Sequence, residues 1–156
     1  MRITLDTNAV DHSDVVRVAH SRGFGVYVTS TTNRELLPSD VDALVTDTIL
    51  EIAVFDESAF DLSVLGSDRD AEIFEFALQV IGNGSFPAAQ HRGCLSAGQR
   101  RQLRDAQILA SHAHHNHDIF VTADERGFIS NGRRLKLENY IRTRILTPTQ
   151  FLAEFQ

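Results

Sequence analysis

The sequence predicts an α/β protein: three layers, α/β/α, around a central, mostly parallel sheet. Three observations carry this. Short β-branched or apolar runs recur at 2–6, 24–30, 118–122 and 144–146, and helix-period segments lie between them. Strands so far apart, joined through helices, pair in parallel because each crossover returns the chain to the same end of the sheet. The 156 residues, 42% hydrophobic, suit a single domain over 1–156 with one core.

Element by element, Arg2-Ile3-Thr4-Leu5-Asp6 alternates and reads as a strand ending at Asp6. A helix over 11–21 follows, with Val15, Val18 and Ala19 on one face, and then a strand over 24–30. A short helix from about 31 carries Arg34, Glu35 and Leu36, and Pro38 stops it. Ser39 then reads as the N-cap of a helix with Val41, Leu44, Val45 and Thr48 inside. Residues 49–56 read as a further strand. Ile73, Phe76, Ala77, Val80 and Ile81 form an apolar stripe over a helix at 69–81, ended by Gly82-Asn83-Gly84. Residues 82–95 read as a mobile loop. Ser96 and Gln99 form a capping box for a helix running to about 115. The 118–122 strand leads to Asp124. After the 144–146 strand, Thr147, Pro148 and Gln150 cap a terminal helix.

Composition excludes some classes. A lone cysteine, Cys94, makes neither an internal disulfide nor a thiolate zinc cage. The N-terminus has no secretory pattern and no apolar run reaches spanning length, so we expect a cytoplasmic protein with no membrane role. The net charge of −6 is uneven. Residues 38–75 hold eleven acids and one base, which reads as a solvated shell and makes 38–95 an acidic, loop-rich middle section. Residues 126–144 hold six bases against Glu138. That stretch, with Arg34 and Arg104, is a candidate phosphate-binding rim. His112, His114, His115 and His117 read as a solvated helix end, favoured by the helix dipole.

Four acids form the candidate site. Ligands of parallel α/β sheets bind outside the carboxyl ends of the strands. Asp6 ends the first strand, Asp124 follows the 118–122 strand, and Glu35 opens the helix leaving the second strand. Asp105 falls roughly 40° outside the inner arc of its helix, at 100° per residue, between Leu109 and Ile108. Singly, each acid has a plain reading as a cap, a turn residue, a dipole partner or a mate for Arg101. Together they cannot all ionise without a cation. An all-oxygen set suits Mg²⁺ or Mn²⁺, and the matching chemistry is attack of water on a phosphodiester.

The segment Ile3-Thr4-Leu5-Asp6-Thr7-Asn8 resembles the opening strand of PIN-domain nucleases, with their Asp-Thr-Asn signature. Thr29 through Leu36 with Glu35, Asp105 through Ala110, Phe120 through Asp124 and Ile145 through Pro148 fall in the family's order. The resemblance implies a Mg²⁺- or Mn²⁺-dependent endoribonuclease acting on RNA. Asp6, Glu35, Asp105 and Asp124 would be its metal-site acids, with Asn8 and Thr122 as polar supports. It also implies a toxin's context, with an antitoxin protein and a homodimer as partners. The stretch from Glu35 to Asp105 is longer than in compact toxins, which weakens that last implication. Two other readings stay open. One is a catalytically silent module binding RNA or protein. The other is an aspartate-nucleophile phosphatase, whose motif wants an acid where this chain has Asn8.

Overall fold

A computed structural model describes residues 1–30, 32, 47–54 and 63–156. Five strands form the central sheet: β1 (Arg2–Leu5), β2 (Gly25–Thr29), β3 (Asp47–Ile49), β6 (Ile119–Val121) and β7 (Arg144–Leu146). Their order is β3-β2-β1-β6-β7 and every pairing is parallel. Two short strands, β4 (Glu51–Ile52) and β5 (Ser63–Val64), pair separately. The helices are α1 (Ser13–Ser21), α2 (Asp68–Ile81), α3 (Ala97–His114), α4 (Arg133–Ile141) and α5 (Pro148–Phe155).

Strand alternation makes the three layers. Ile3, Leu5, Ile119 and Val121 pack with Val15 and Ala19 of α1 and Phe151 of α5. Phe120 and Ile145 point the other way, into a core with Leu78 of α2, Leu109 of α3 and Leu137 of α4. Capping boxes at Ser67/Asp70, Ser96/Gln99 and Thr147/Gln150 start α2, α3 and α5. Each such cap is worth about 1 kcal/mol. None of the helices among the described residues is long and apolar enough to cross a membrane.

Several elements differ from the sequence expectation. Thr48, expected inside a helix, sits in β3 opposite Val28; the rest of that helix and the one carrying Glu35 lie outside the described residues. The 49–56 strand is divided. Ile52 leaves the main sheet because α3 claims its backbone, Ser111 Oγ accepting from its amide at 3.0 Å and Gln107 Nε2 donating to its carbonyl at 2.9 Å. Residues 82–95 hold a 3₁₀ helix, Ala89–Cys94, braced by Arg92, whose two terminal nitrogens meet the Glu75 carboxylate at 2.8 and 2.7 Å. In α2 the fully packed stripe is Ile73, Phe74, Ala77, Leu78 and Ile81, with Phe76 and Val80 half-buried at its edge. That rotation follows from packing against both α3 and α4.

The basic 126–144 stretch contains α4, with Leu137 fully buried. The histidine group is not the solvated helix end expected. His112 is 0% exposed and His117 6% exposed. The Thr4 hydroxyl sits 2.9 Å from His112 Nδ1 and 2.8 Å from His117 Nδ1, so it donates to one ring and accepts from the other. His112 Nε2 lies 2.6 Å from Thr143 Oγ1. Burial holds both rings neutral, His112 pushed down to about 3 and His117 to about 4, with the Arg2 charge adding to the fall at His117. Neutral imidazoles in hydrogen bonds can be buried where charged ones cannot.

Candidate functional site

The carboxyl edge of β1 and β6 brings Asp6 and Asp124 together. Asp6 continues β1, its amide donating to the Val121 carbonyl at 2.9 Å, and it caps a 3₁₀ turn over Thr7–Ala9. Its carboxylate is 1% exposed. Oδ1 accepts from the Thr7 amide at 2.9 Å, and Oδ2 accepts from the Thr122 hydroxyl at 2.7 Å. The same hydroxyl accepts from the Asp124 amide at 3.0 Å. Asn8 Oδ1 takes the Ala123 amide at 2.8 Å, which holds the turn after β6 against the turn after β1. Asn8 and Thr122 thus tie the two turns together by hydrogen bonds.

Asp124 caps the π-helical turn Glu125–Ile129, with Oδ1 accepting from the Gly127 amide at 2.9 Å. A Cβ on Gly127 would stand 2.5 Å from Asp124 Oδ2, so any larger residue there displaces that carboxylate. Nothing in the sequence pattern singled out Gly127, because its partner is set by the turn after β6.

Burial pushes the Asp6 carboxyl up to about 6, and the charge of Asp124 adds to the rise. The Thr122, Thr7 and Asn8 hydrogen bonds oppose it and do not cancel it. A buried carboxylate facing a second carboxylate is a position where a cation would be stabilising.

Asp105 is half-buried on α3 and interacts with another group. It lies seven residues before His112, hence on nearly the same helical face, and His112 reaches Thr4 of β1. Since α3 runs antiparallel to the strands, stepping back two turns, about 10 Å, moves toward the carboxyl edge. Among the described residues, however, no group of three or more His, Cys, Asp or Glu is placed to hold a metal ion. Asp6 and Asp124 are joined as a pair. Glu35 and Arg34 lie outside the described residues.

Of the basic residues, Arg126 is exposed two positions after Asp124, and its guanidinium makes no hydrogen bond or ion pair among the described residues. Arg104 is half-buried and engaged with another group. Much of the 126–144 charge is structural. Arg134 meets Glu138 and Gln150, Arg144 meets Glu154, and Arg133 donates to the backbone carbonyls of Val80 and Arg126.

Sequence spacing also missed Glu51, which is 0% exposed just past β3, its amide donating to Ser30 Oγ at 3.2 Å. Two cavities of about 590 and 600 Å³ lie elsewhere, and neither is lined by Asp6 or Asp124. No family model matches the chain, and no curated protein matches it.

Proposed function

We propose that the chain is a divalent-metal-dependent endoribonuclease of PIN type. The observation that carries this reading is the Asp6–Thr122–Asp124 arrangement at the carboxyl edge of a parallel sheet. The donor set fits a hard cation. All its atoms are oxygens, and the Thr7 amide and Thr122 hydroxyl fix the two oxygens of Asp6 in place. Asp6 and Asp124 would hold Mg²⁺ or Mn²⁺, with Asp105 and Glu35 completing the acidic set. When bound, the ion supplies charge neutralisation at a phosphodiester and a water of lowered pKa.

The chain's own residues do the rest. Thr122 orients Asp6 and anchors the amide of Asp124, Asn8 locks the two turns together, and Arg126 offers a guanidinium to the RNA backbone. A second reading is a catalytically silent module that binds RNA or protein. The phosphatase reading loses ground because Asn8, in place of its second acid, is committed to the Ala123 amide.

Calorimetric titration with Mn²⁺, followed by cleavage of structured RNAs with and without chelator, tests the proposal. Metal-dependent cleavage lost in Asp124→Asn supports it. Mn²⁺ binding without cleavage supports the silent module.

A further inference from the structure

A cleft of about 600 Å³ separates the C-terminal half of α2 from α4. Its composition is unusual for a chain with a net charge of −6. No carboxylate lines it among the described residues; four carboxamides do, Gln79, Asn83, Asn131 and Asn139, together with Arg133 and Lys136. The side chains of Asn83, Asn131, Asn139 and Lys136 are exposed and make no hydrogen bond or ion pair among the described residues. Unspent carboxamides beside an unpaired ammonium suit a ligand with both in-plane hydrogen-bonding edges and negative charge.

The walls are braced. Phe76 stacks on Tyr140 with centroids 3.9 Å apart and planes 15° apart, and Arg69 lies over the Tyr140 ring at 4.6 Å. Arg133 Nε donates to the Val80 carbonyl at 3.1 Å, across the cleft, while its Nη1 donates to the Arg126 carbonyl. A preformed cleft of this size falls in the range of ligand sites.

Its direction matters most. α4 follows the Asp124 turn and precedes β7, so its first residues stand at the carboxyl edge and its last at the amino edge. The end of the cleft at Asn131 and Arg133 therefore lies toward the carboxyl edge, the edge that carries Asp124, and the cleft runs about 10 Å down the α2–α4 face.

The geometry points to this cleft as a binding groove for single-stranded RNA, holding a nucleotide next to the one at the acid pair. The carboxamides meet the edge of one base and Lys136 meets a phosphate. This rests on the nuclease reading for its choice of RNA. Base edges exposed to such amides exist in single strands and are paired away in duplexes.

The test is fluorescence anisotropy of the full chain with labelled single-stranded RNA decamers in chelator, so that nothing is cleaved. Lys136→Ala and Asn139→Ala, both at exposed positions, should each weaken binding about fivefold or more, in the range of single phosphate and base contacts. Lys136→Ala should also flatten the salt dependence by about 0.7 in log–log slope. Ultraviolet cross-linking of wild-type protein to 4-thiouridine RNA should label the peptides containing Phe76 or Tyr140, a readout that needs no variant. Unchanged affinity in both variants with cross-links elsewhere overturns the groove. So does equal affinity for the duplex, or no RNA binding at all. If Asp124→Asn still cleaves while Lys136→Ala weakens binding, the metal reading fails and the groove stands. If Asp124→Asn loses cleavage while Lys136→Ala binds like wild type, the metal reading stands and the groove fails.

Discussion

The Thr122 hydroxyl donates to Asp6 Oδ2 at 2.7 Å and at the same time accepts the Asp124 amide at 3.0 Å. One side chain on β6 thereby sets the carboxylate at the end of β1 and the backbone of the carboxylate that follows β6. Thr122→Val keeps the β-branched shape and removes both bonds. We expect a loss of about 2–4 kcal/mol in urea denaturation, since two buried polar groups lose partners. Thr122→Ser should recover most of it. Full stability in the valine variant would show that the bridge is dispensable.

Asp6→Asn should stabilise the metal-free protein while removing metal binding. The Asp6 carboxyl rises from 3.8 to about 6 on folding. A raised carboxyl pKa means stability present below 3.8 and lost as pH climbs through 6. At pH 7.5 the ionised group costs about 3 kcal/mol. Asparagine carries no such cost. The Thr122 hydroxyl can turn to Asn8 Oδ1, 3.3 Å away, and accept from the new amide. The stability difference between variant and wild type, measured by denaturation, should fall to roughly half between pH 7.5 and pH 5. A pH-independent difference would contradict this origin.

Metal binding should strengthen as pH rises through about 6, because only ionised Asp6 can ligate. Calorimetry of Mn²⁺ binding at pH 6 in buffers of different ionisation enthalpy should show net proton release. Equal heats in all buffers would count against Asp6 as a ligand.

Gly127→Ala places a methyl 2.5 Å from Asp124 Oδ2. The carboxylate must move, so Mn²⁺ affinity should drop about 10–100-fold, the usual effect of disturbing a group that orients a ligand. Titration of the variant alongside wild type checks it, with circular dichroism to confirm the fold.

Acid should unfold the protein through its histidines. His112 and His117 fall from 6.5 to about 3 and about 4 in the folded state. Lowered histidine values mean stability present above pH 6.5 and lost as pH falls toward the folded values. The loss amounts to several kcal/mol, larger than the opposing Asp6 effect. His112→Leu should be less stable at pH 7.5, where it abandons bonds to Thr4 and Thr143. Its stability should also decline less steeply between pH 6.5 and pH 4.5. A slope identical to wild type would place the acid sensitivity elsewhere.

Local signals were legible wherever adjacent residues carry them. Strand alternation in 2–6, the box at Ser96 and Gln99, and the Thr147-Pro148 start appear in the structure nearly where the spacing predicts them. Asp6 and Asp124 were legible too, as acids closing two apolar runs, and parallel pairing of those runs was enough to bring them to one edge. The basic 126–144 stretch shows the opposite case. Its arginines look like a phosphate rim in sequence, yet three of them are taken by Glu138, Gln150, Glu154 and backbone carbonyls.

The sequence alone determined the layered α/β architecture and the acid pair, because both follow from periodicities and positions counted along the chain. Tertiary structure decided two further things: the burial of His112 against Thr4 and the carboxamide cleft between α2 and α4. Each depends on side chains from elements that meet only after helices dock on the sheet. Docking angle and register come from packing the whole core, and no short window of sequence contains them.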